Sequence, residues 1–411
     1  MHLHFVQSLE PLQGAGLGQA ALSLHLAMNN IKNYKYYSYA LNHSEEDYGQ
    51  NINSLLLTTK SHDFLKNWPN VIQGVRKGPS RVFYSPELVN LARKAVSEAD
   101  IFHGHGLYVW LNFWFGREAR INNKNLIYHP HGFFDPWILK RSRLKKLFVN
   151  MLFENKNIKY VKYWRALTLK EADQIRKIVG DDAKIEVIPN GISADESTGN
   201  EIPSKSDLLN MNYERINLLL RIERENRLFE RRKKYRLLFL SRLHPKKGLD
   251  ILIQAWAELK VEIKNWELLI VGPHLGNYRE ILETMVTKFE CDDSCRIFSG
   301  VTGPIKDALF LSSDLFVLPS YSEGFPMVIL EAAVHGLPII QTTECNFNEL
   351  THCGAAWECE PNKADLLKAM RIAMESDESE RDARGRQAKA LVMEKYSWDK
   401  VALQIDELGR S

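Results

Sequence analysis

Residues 236–249 read RLLFLSRLHPKKGL, a continuous apolar run that passes through a basic turn into an apolar helical pattern. Continuous apolar runs, here 237–240 and again 268–271, are typical of parallel strands buried on both faces. Similar runs recur along the chain between helical stretches. This alternation predicts an α/β fold of doubly wound, Rossmann-like units.

Candidate strands form two groups. The first group covers 3–9, 35–41, 54–58, 101–105, 126–129, 166–169 and 185–188. The second group covers 236–241, 267–271, 296–298, 315–318 and 338–341. Helices are predicted over 19–28 and 249–259, each directly after the first strand of its group.

The break between the groups follows the turn Ile188-Pro189-Asn190-Gly191. Residues 195–235 lack a strand pattern, and the stretch from Arg221 to Arg236 holds eight Arg or Lys and three Glu. We therefore predict two domains facing a cleft, where the carboxyl ends of parallel strands bind ligands. The predicted segments are an N-terminal Rossmann-like domain 1–190, a C-terminal Rossmann-like domain 191–385 with a charged insertion at 195–235, and a terminal helix 386–411.

Composition excludes several classes of protein. Of 411 residues, 45% are hydrophobic and 26% charged, which indicates a globular chain rather than a disordered one. The net charge of +3 gives no argument for nucleic acid. Five cysteines, all in the second half, exclude a disulfide scaffold and favour a reducing compartment. No signal peptide or apolar span is visible, so we expect a cytoplasmic protein.

Two basic or glycine-rich turns are candidate phosphate sites. Gly14-Ala15-Gly16-Leu17-Gly18 precedes a helix, but its spacing departs from G-x-G-x-x-G, so a tight turn is the alternative. Arg242 and Lys247 lie after a strand and just before a helix, which suits a diphosphate, and a solvated charge cluster is the alternative.

Two glutamates eight residues apart follow the strand 315–318. Glu323 lies in the loop, and Glu331 lies among apolar residues of the next helix, where a carboxylate needs a partner. We expect the Gly324 and Phe325 amides to lie at the helix N-terminus, where they donate to phosphate.

Four histidines end two neighbouring strands: His103, His105, His129 and His131. One interpretation is a zinc site, although no accompanying carboxylate motif is visible. A second is a polar contact with a sugar or phosphate, for which His131 is the candidate. The third is that most of these rings bond only loop backbone.

Together these segments resemble the retaining GT-B glycosyltransferases of family 4. Glu323 and Glu331 match that family's E-x7-E motif, and residues 239–249 are similar to its phosphate clamp. Tyr396-Ser397-Trp398 resembles the start of the family's final helix, which crosses back onto the first domain. The resemblance implies a nucleoside-diphosphate hexose of the UDP or GDP type as co-substrate, no other cofactor and no metal.

The resemblance also implies roles for individual residues. Arg242 and Lys247 would hold the diphosphate and stabilise its departure, and Glu331 would bind ribose. The resemblance assigns the acceptor to the first predicted domain and the nucleotide sugar to the second. Glu323 would contact the donor sugar, with the Gly324 and Phe325 amides close by. Gly16 would approach the phosphates, and His131 would bond a hydroxyl of the transferred sugar. The implied catalytic residues are His131, Glu323, Arg242 and Lys247. The implied role is in bacterial surface polysaccharide synthesis, with a glycan or lipid-linked acceptor.

A basic amphipathic stretch over 140–152 suggests contact with an anionic membrane on its inner face. Leu144, Leu147, Phe148, Met151 and Leu152 recur at helical spacing beside Lys145 and Lys146. The alternative is an ordinary helix whose apolar stripe packs in the core. Competing functions are a zinc hydrolase built on the four histidines, a GT-B epimerase or phosphorylase, and a non-catalytic sugar-nucleotide binder.

Overall fold

The computed structural model describes residues 1–6, 15–31, 36–42, 71–75, 85–136, 139, 143–193, 235–274, 276–301 and 303–411. The predicted strand 54–58 and all but the last residue of the insertion 195–235 lie outside these ranges. The described residues form two compact units, 1–191 with 398–411, and 192–397. Residues 386–397, assigned from sequence to the terminal segment, therefore belong to the second unit.

The described part of the first unit contains one parallel sheet with the strand order β3-β2-β1-β4-β5-β6-β7. Its strands are β1 (His2–Val6), β2 (Tyr36–Asn42), β3 (Val71–Val75), β4 (Ile101–His105), β5 (Asn125–His129), β6 (Tyr163–Ala166) and β7 (Ile185–Val187). Phe102, Leu126, Tyr128 and Trp164 are among the buried core residues. In the register of the sheet, His4 pairs with His103 and His105 pairs with His129.

The helices of the first unit come from two separate parts of the chain, residues 1–191 and residues 398–411. They are α1 (Ala15–Asn30), α2 (Pro86–Glu98), α3 (Trp110–Ile121), α4 (Arg143–Val149), α5 (Asn155–Ile158), α6 (Leu169–Val179) and α14 (Trp398–Arg410), with a π-helical turn at Asn150–Glu154. Gly409 of α14 packs closely on Ile101, since a Cβ at Gly409 would lie 2.5 Å from the Ile101 Cδ1 atom. The last helix is thus part of the first unit's core.

The second unit repeats the architecture with the strand order β10-β9-β8-β11-β12-β13, again parallel. Its strands are β8 (Tyr235–Leu240), β9 (Trp266–Val271), β10 (Cys295–Phe298), β11 (Leu315–Leu318), β12 (Ile339–Thr342) and β13 (Ala356–Cys359). Its helices are α7 (Leu249–Leu259), α8 (Tyr278–Lys288), α9 (Pro304–Leu311), α10 (Met327–Val334), α11 (Asn348–His352), α12 (Lys363–Glu375) and α13 (Glu378–Lys395), with 3₁₀ turns at Pro245–Lys247 and Thr343–Cys345. The predicted α/β class with two Rossmann-like sheets is confirmed.

Three local predictions are wrong. The strand expected at 166–169 lies at Tyr163–Ala166, because Thr168 caps α6 by accepting a bond from the Glu171 N–H at 3.2 Å. The edge strands β3 and β13 were not predicted. The helix expected at 19–28 begins at Ala15, so Gly16 lies in its first turn rather than in a loop.

Membrane-spanning character is not found among the described residues, since none of their helices combines enough length with enough apolar side chains to cross a bilayer.

Candidate active site

Two loops of the second unit meet where its strand order reverses. Strands β8 and β11 are neighbours in the sheet, although β9 and β10 lie between them in sequence. Open α/β sheets bind ligands outside the carboxyl ends of the strands at such a switch point. Loop 241–248 follows β8 and loop 319–326 follows β11. These two loops hold the predicted site residues Arg242, Lys247, Glu323, Gly324 and Phe325.

A glycine allows the two loops to touch. Gly248 has φ +66°, and a Cβ there would lie 1.9 Å from the Pro319 carbonyl oxygen, so no other residue fits without moving the loops. Beside it, the Tyr321 N–H donates to the Lys246 carbonyl at 2.9 Å. The close approach fixes the relative position of the side chains that the loops carry.

Lys247 and Glu323, which the sequence assigned to separate roles, form one ion pair. The Lys247 Nζ donates to the Glu323 Oε1 at 2.6 Å, and the Ser320 Oγ donates to the same oxygen at 2.5 Å. Both charged side chains are nearly buried, with 12% and 11% exposure. The Glu323 backbone is also fixed, because its N–H donates to the Glu344 carbonyl and its carbonyl accepts from the Asn346 Nδ2. The carboxylate is therefore held in a single position.

Glu331 is paired in the same manner by a residue that sequence reasoning missed. The Lys306 Nζ, from α9, donates to the Glu331 Oε1 at 2.5 Å, and the two side chains are 23% and 11% exposed. Glu331 lies in α10, where its buried position requires such a partner. A single lysine near the start of an amphipathic helix carries no distinguishing signal, so only the fold identifies Lys306.

The remaining predicted residues of this unit are placed differently. Arg242 is exposed. Gly324 and Phe325 lie in the loop before α10, which begins at Met327, so the expectation that their amides form the helix N-terminus is wrong. The Phe325 ring instead packs beside Phe347 and Tyr396, with ring centroids 5.7 and 6.0 Å away.

In the first unit, His131 lies two residues after the end of β5, in a strained turn. Its φ of +54° is unusual for a residue with a side chain, and Gly132 follows with φ +81°. The buried Glu171 carboxylate fixes this turn by accepting the N–H groups of Gly132 at 2.6 Å and Leu167 at 2.7 Å. Burial, with a smaller effect from the Arg165 charge, lowers the pKa of His131 to about 3, so its ring is neutral.

Six histidines form two hydrogen-bonded rows across β1, β4 and β5. Alternate residues of a strand share a face, which places all six on one face of the sheet. The first row is His2, His103 and His129, joined by Nδ1···Nε2 distances of 3.0 and 3.1 Å. The second row is His4, His105 and His131, joined in the same sense by distances of 3.1 and 3.0 Å. The rows stack on each other, with ring centroids 4.0 Å apart for His4 and His103.

These rows overturn two interpretations of the histidines. The rings bond each other rather than loop backbone, and no group of three or more His, Cys, Asp or Glu among the described residues is arranged to hold a metal ion. The zinc-hydrolase alternative therefore has no support. His2 and His4 were missed, although the H-x-H spacing occurs in three strands of one sheet and was visible in the sequence.

The basic segment of the first unit exposes its apolar side chains. Leu147, Phe148, Met151 and Leu152 are between 52% and 75% exposed, so these four do not pack in the core. The Lys146 Nζ lies 5.7 Å from the centre of the Tyr108 ring. Residues 140–142 and the side chains of 143–145 lie outside what the structure describes.

A buried carboxyl group, Glu154, ends the π-helical turn of this segment. Its Oε2 accepts the Tyr108 N–H at 3.2 Å, and Tyr108 has φ +65°. Burial raises the pKa of Glu154 to about 7. No sequence pattern indicates this buried carboxyl group, since a glutamate in a basic amphipathic stretch ordinarily faces solvent.

Two family profiles match the chain. The family Glycosyl transferases group 1 matches residues 221–391, which include every site residue of the second unit, and Glycosyltransferase Family 4 matches residues 48–196. Both profiles agree with the resemblance to family 4 glycosyltransferases that the E-x7-E motif carries.

Individual relatives agree with these profiles. An uncharacterized glycosyltransferase of Methanocaldococcus jannaschii is 30% identical over 40% of this chain and 42% of its own length. A lipopolysaccharide 1,2-N-acetylglucosaminetransferase of Salmonella typhimurium is 28% identical over 42% of this chain and 47% of its own length. The chain thus spans less than half of the curated relatives it matches here.

Solved structures match over the whole length. HepE of Anabaena, in a complex with UDP and glucose, is 18% identical with a TM-score of 0.70, covering 99% of this chain and 98% of that one. This likeness supports the two-domain Rossmann-like fold.

Proposed function

We propose that this chain, which belongs to the group 1 and family 4 glycosyltransferases, transfers a hexose from a UDP- or GDP-sugar with retention of anomeric configuration. The observation that carries this proposal is the pair of nearly buried lysine–glutamate contacts, Lys247 with Glu323 and Lys306 with Glu331, in a unit whose strand order creates a ligand crevice. Lysines and carboxylates at such a place suit diphosphate oxygens and sugar hydroxyls respectively.

In this proposal the donor diphosphate binds two cations, one of which, Lys247, is paired with Glu323 in the structure. Arg242, which is exposed, and Lys247, which faces Glu323, bind the diphosphate, and the negative charge that develops on it as the glycosidic bond breaks is stabilised by the same two cations. Relieved of part of its bond to Lys247, Glu323 accepts hydroxyls of the donor sugar. No metal ion or further cofactor takes part.

The other donor contacts follow the same chemistry. Glu331, a carboxylate with a fixed lysine partner, accepts the ribose hydroxyls. The amides of Gly324 and Phe325 bond the donor in the loop before α10. Gly16 offers its amide from the first turn of α1, where helix N–H groups lack partners within the helix. His131 bonds a hydroxyl of the transferred sugar.

The proposed acceptor is a glycan or lipid-linked oligosaccharide of bacterial surface polysaccharide synthesis. The Salmonella relative, whose name places it in lipopolysaccharide assembly, supports this choice. A lipid-linked acceptor would require contact with a membrane. The four exposed apolar side chains beside Lys146 suit the headgroup region of an anionic bilayer, so we place the protein at the inner face of the cytoplasmic membrane.

A ligand screen tests the donor assignment. Thermal unfolding is measured with UDP, GDP and their hexose conjugates, and the true donor is expected to raise Tm by roughly 5–10 °C at a hundredfold excess over Kd. Turnover of the stabilising sugar nucleotide with a defined acceptor then gives the product, whose anomeric configuration is read by NMR. Stabilisation by none of these ligands, or an inverted product, contradicts the proposal.

Liposome flotation tests the membrane contact. We expect binding to vesicles that contain anionic lipid and little binding to neutral vesicles. Replacing Phe148 and Met151 by Ser should abolish flotation, and exchanging the exposed Leu403 of α14 for Ser serves as the control. Equal flotation of all three proteins, or no flotation of the wild type, rejects the membrane contact and leaves the donor assignment untouched.

A further inference from the structure

The first row of histidines has a chemically defined donor and acceptor at its ends. At one end, the Arg165 Nη1, a group that only donates, lies 3.4 Å from the His129 Nδ1. At the other end, the Asp406 Oδ1 lies 3.1 Å from the His2 Nε2, an ion-pair contact whose geometry is not that of a hydrogen bond, so the Arg165 donor sets the direction of the row and the Asp406 charge favours the same direction. Each neutral imidazole has one N–H and one bare nitrogen. The nitrogen that carries the proton on one ring therefore determines which nitrogen carries it on the next ring. All three rings of the first row, including His103, therefore carry the proton on Nε2.

The second row has the same bonding pattern but different ends. At the outer end, the partly exposed His131 uses its Nε2 within the row, which leaves Nδ1 for an outside contact. At the inner end, the His4 Nε2 is buried and has no hydrogen-bond partner among the described residues. Its direction must therefore be set by something other than a donor and an acceptor at the ends.

Two physical effects select the same direction for the second row. If each ring carried its proton on Nε2, the buried His4 N–H would be orphaned, and orphaned buried N–H groups are rarer than acceptors that lack a donor. The stacking of the rows also favours the proton on Nδ1 in the second row. His105 and His129 stack with centroids 4.4 Å apart and planes within 5°, so dipoles that run in opposite directions attract and dipoles that run in the same direction repel.

We propose that the second row is proton-ordered opposite to the first, with the proton on Nδ1 of His4, His105 and His131. His131 then presents an N–H to its ligand and acts as a hydrogen-bond donor. His105 and His4 are positioning residues that fix this tautomer from within the sheet. The identity of the ligand as an oxygen of a sugar substrate rests on the proposed function, whereas the tautomer does not.

The protonation states suit such a chain. Burial lowers the pKa of His4, His105 and His129 well below the usual value, and the pKa of His131 falls to about 3. Every ring of the second row is therefore neutral near pH 7, and its tautomer is a defined property.

The tautomers are measured directly on the wild-type protein. Protein labelled with ¹⁵N in its histidine rings is examined by long-range ¹H–¹⁵N correlation, and His131→Gln identifies the His131 signals by their disappearance. We expect a protonated Nδ1 and a bare Nε2 for His131, and the reverse for His129, assigned with His129→Gln. A His131 ring that carries its proton on Nε2 overturns the proposal. No substrate is needed, so failure of the proposed glycosyl transfer leaves this result readable.

Two matched variants test whether His105 positions His131. His105→Phe removes the central ring of the second row, and His103→Phe removes the equivalent buried ring of the first row, two residues away on β4. We expect His105→Phe to abolish the single Nδ1–H form of His131 and to lower kcat about 10- to 100-fold with a smaller change in KM, by analogy with removing the outer hydrogen-bond partners of metal-ligating histidines. His103→Phe should retain the His131 tautomer. An unchanged His131 spectrum in His105→Phe, or the same change in both variants, refutes the positioning role, and the wild-type spectrum decides the tautomer if a variant does not fold.

Discussion

The two units share a strand order but place their polar groups at different depths. In the second unit the central strands β8, β9 and β11 bury mostly apolar side chains, with one buried ion pair, Arg236 with Glu267, near the amino ends of β8 and β9. The Lys247–Glu323 pair of the candidate site lies in the loops beyond the carboxyl ends of the strands. In the first unit, polar rings run through the sheet face itself, with His4, His103 and His105 fully buried. The same topology thus tolerates an interior polar layer where each ring supplies the hydrogen bond that its neighbour needs.

Acidification should produce the largest difference in stability between the two units. Burial lowers the pKa of all six histidines of the rows, to about 4 for His2 and about 3 for His131. A histidine with a lowered folded-state pKa contributes stability that is complete above pH 6.5 and is lost as the pH falls toward the folded value, because the unfolded chain binds more protons in that window. Each such group contributes up to about 1.4 kcal/mol per pH unit over the range in which it is protonated in the unfolded chain and neutral in the folded one.

Hydrogen exchange measured by mass spectrometry between pH 7.5 and pH 4.5 checks this expectation. Peptides from β1, β4 and β5 should lose protection near pH 5, after correction for the intrinsic exchange rate, while peptides from β8, β9 and β11 retain it. Simultaneous loss of protection in both sheets would remove the distinction drawn between the units.

Removing Lys247 should destabilise the second unit. Lys247→Ala leaves the nearly buried Glu323 carboxylate without its cation, and breaking a buried pair on one side costs about 3 kcal/mol or more. We expect Tm of the second unit to fall by roughly 6–12 °C. Lys363→Ala, which breaks an exposed pair with Glu258, is the control and should change Tm little. Equal effects would show that the Lys247 contact is no stronger than a surface pair.

Arg242→Ala should affect turnover rather than stability. Arg242 is exposed, so its loss should change the free energy of unfolding by less than about 0.5 kcal/mol. By analogy with removing one donor to a developing anion, kcat should fall by a factor that corresponds to about 2–4 kcal/mol. Arg296→Ala, at another exposed position of the same unit, should leave kcat unchanged. Wild-type turnover in Arg242→Ala contradicts the assigned role.

Glu154 should give the first unit a smaller loss of stability as the pH rises from about 5 to neutrality. Burial raises its pKa to about 7, so its stabilising contribution is complete below the unfolded value of 4.5 and is lost as the pH rises through 7. Between pH 5 and pH 8, Glu154→Gln should therefore gain about 2 kcal/mol of unfolding free energy relative to the wild type. Urea unfolding at both pH values measures this, with Glu98→Gln at an exposed position as control. A difference that does not depend on pH argues against a raised pKa.

The fold was predictable where burial leaves a uniform pattern. The apolar runs of β8, β9 and β11 located these strands to within one residue. Strand β3 was missed because its segment Val-Ile-Gln-Gly-Val carries little continuous apolar signal, and β13 because it is a four-residue strand that contains a glutamate. An edge position alone was no obstacle, since the edge strands β7 and β10 were located. The error in the position of β6 was avoidable, because Thr168 and Glu171 have the spacing of a helix-capping motif and mark the start of α6.

The candidate site was predictable where its residues lie in a motif next to a predicted strand. Glu323 and Lys247 lie in motifs with fixed spacing to a strand, and the structure joins them. Lys306 and the histidine rows depend on which elements become neighbours in space, which the order of residues does not state. The three H-x-H pairs were visible in the sequence, but the fact that they form rows follows from the strand order of the first sheet.

The membership of α14 in the first unit has a consequence for biosynthesis. Asp406 and Gly409 supply contacts to β1 and β4, yet the ribosome delivers them only after the whole second unit. At 5–20 residues per second, the roughly 200 intervening residues delay that delivery by about 10–40 s. During this interval the nascent first unit lacks the Asp406 carboxylate at the end of one histidine row and the helix α14, which packs against α1. The part of the chain that is translated first is thus the last to be completed, and a nascent-chain chaperone has a defined surface to protect.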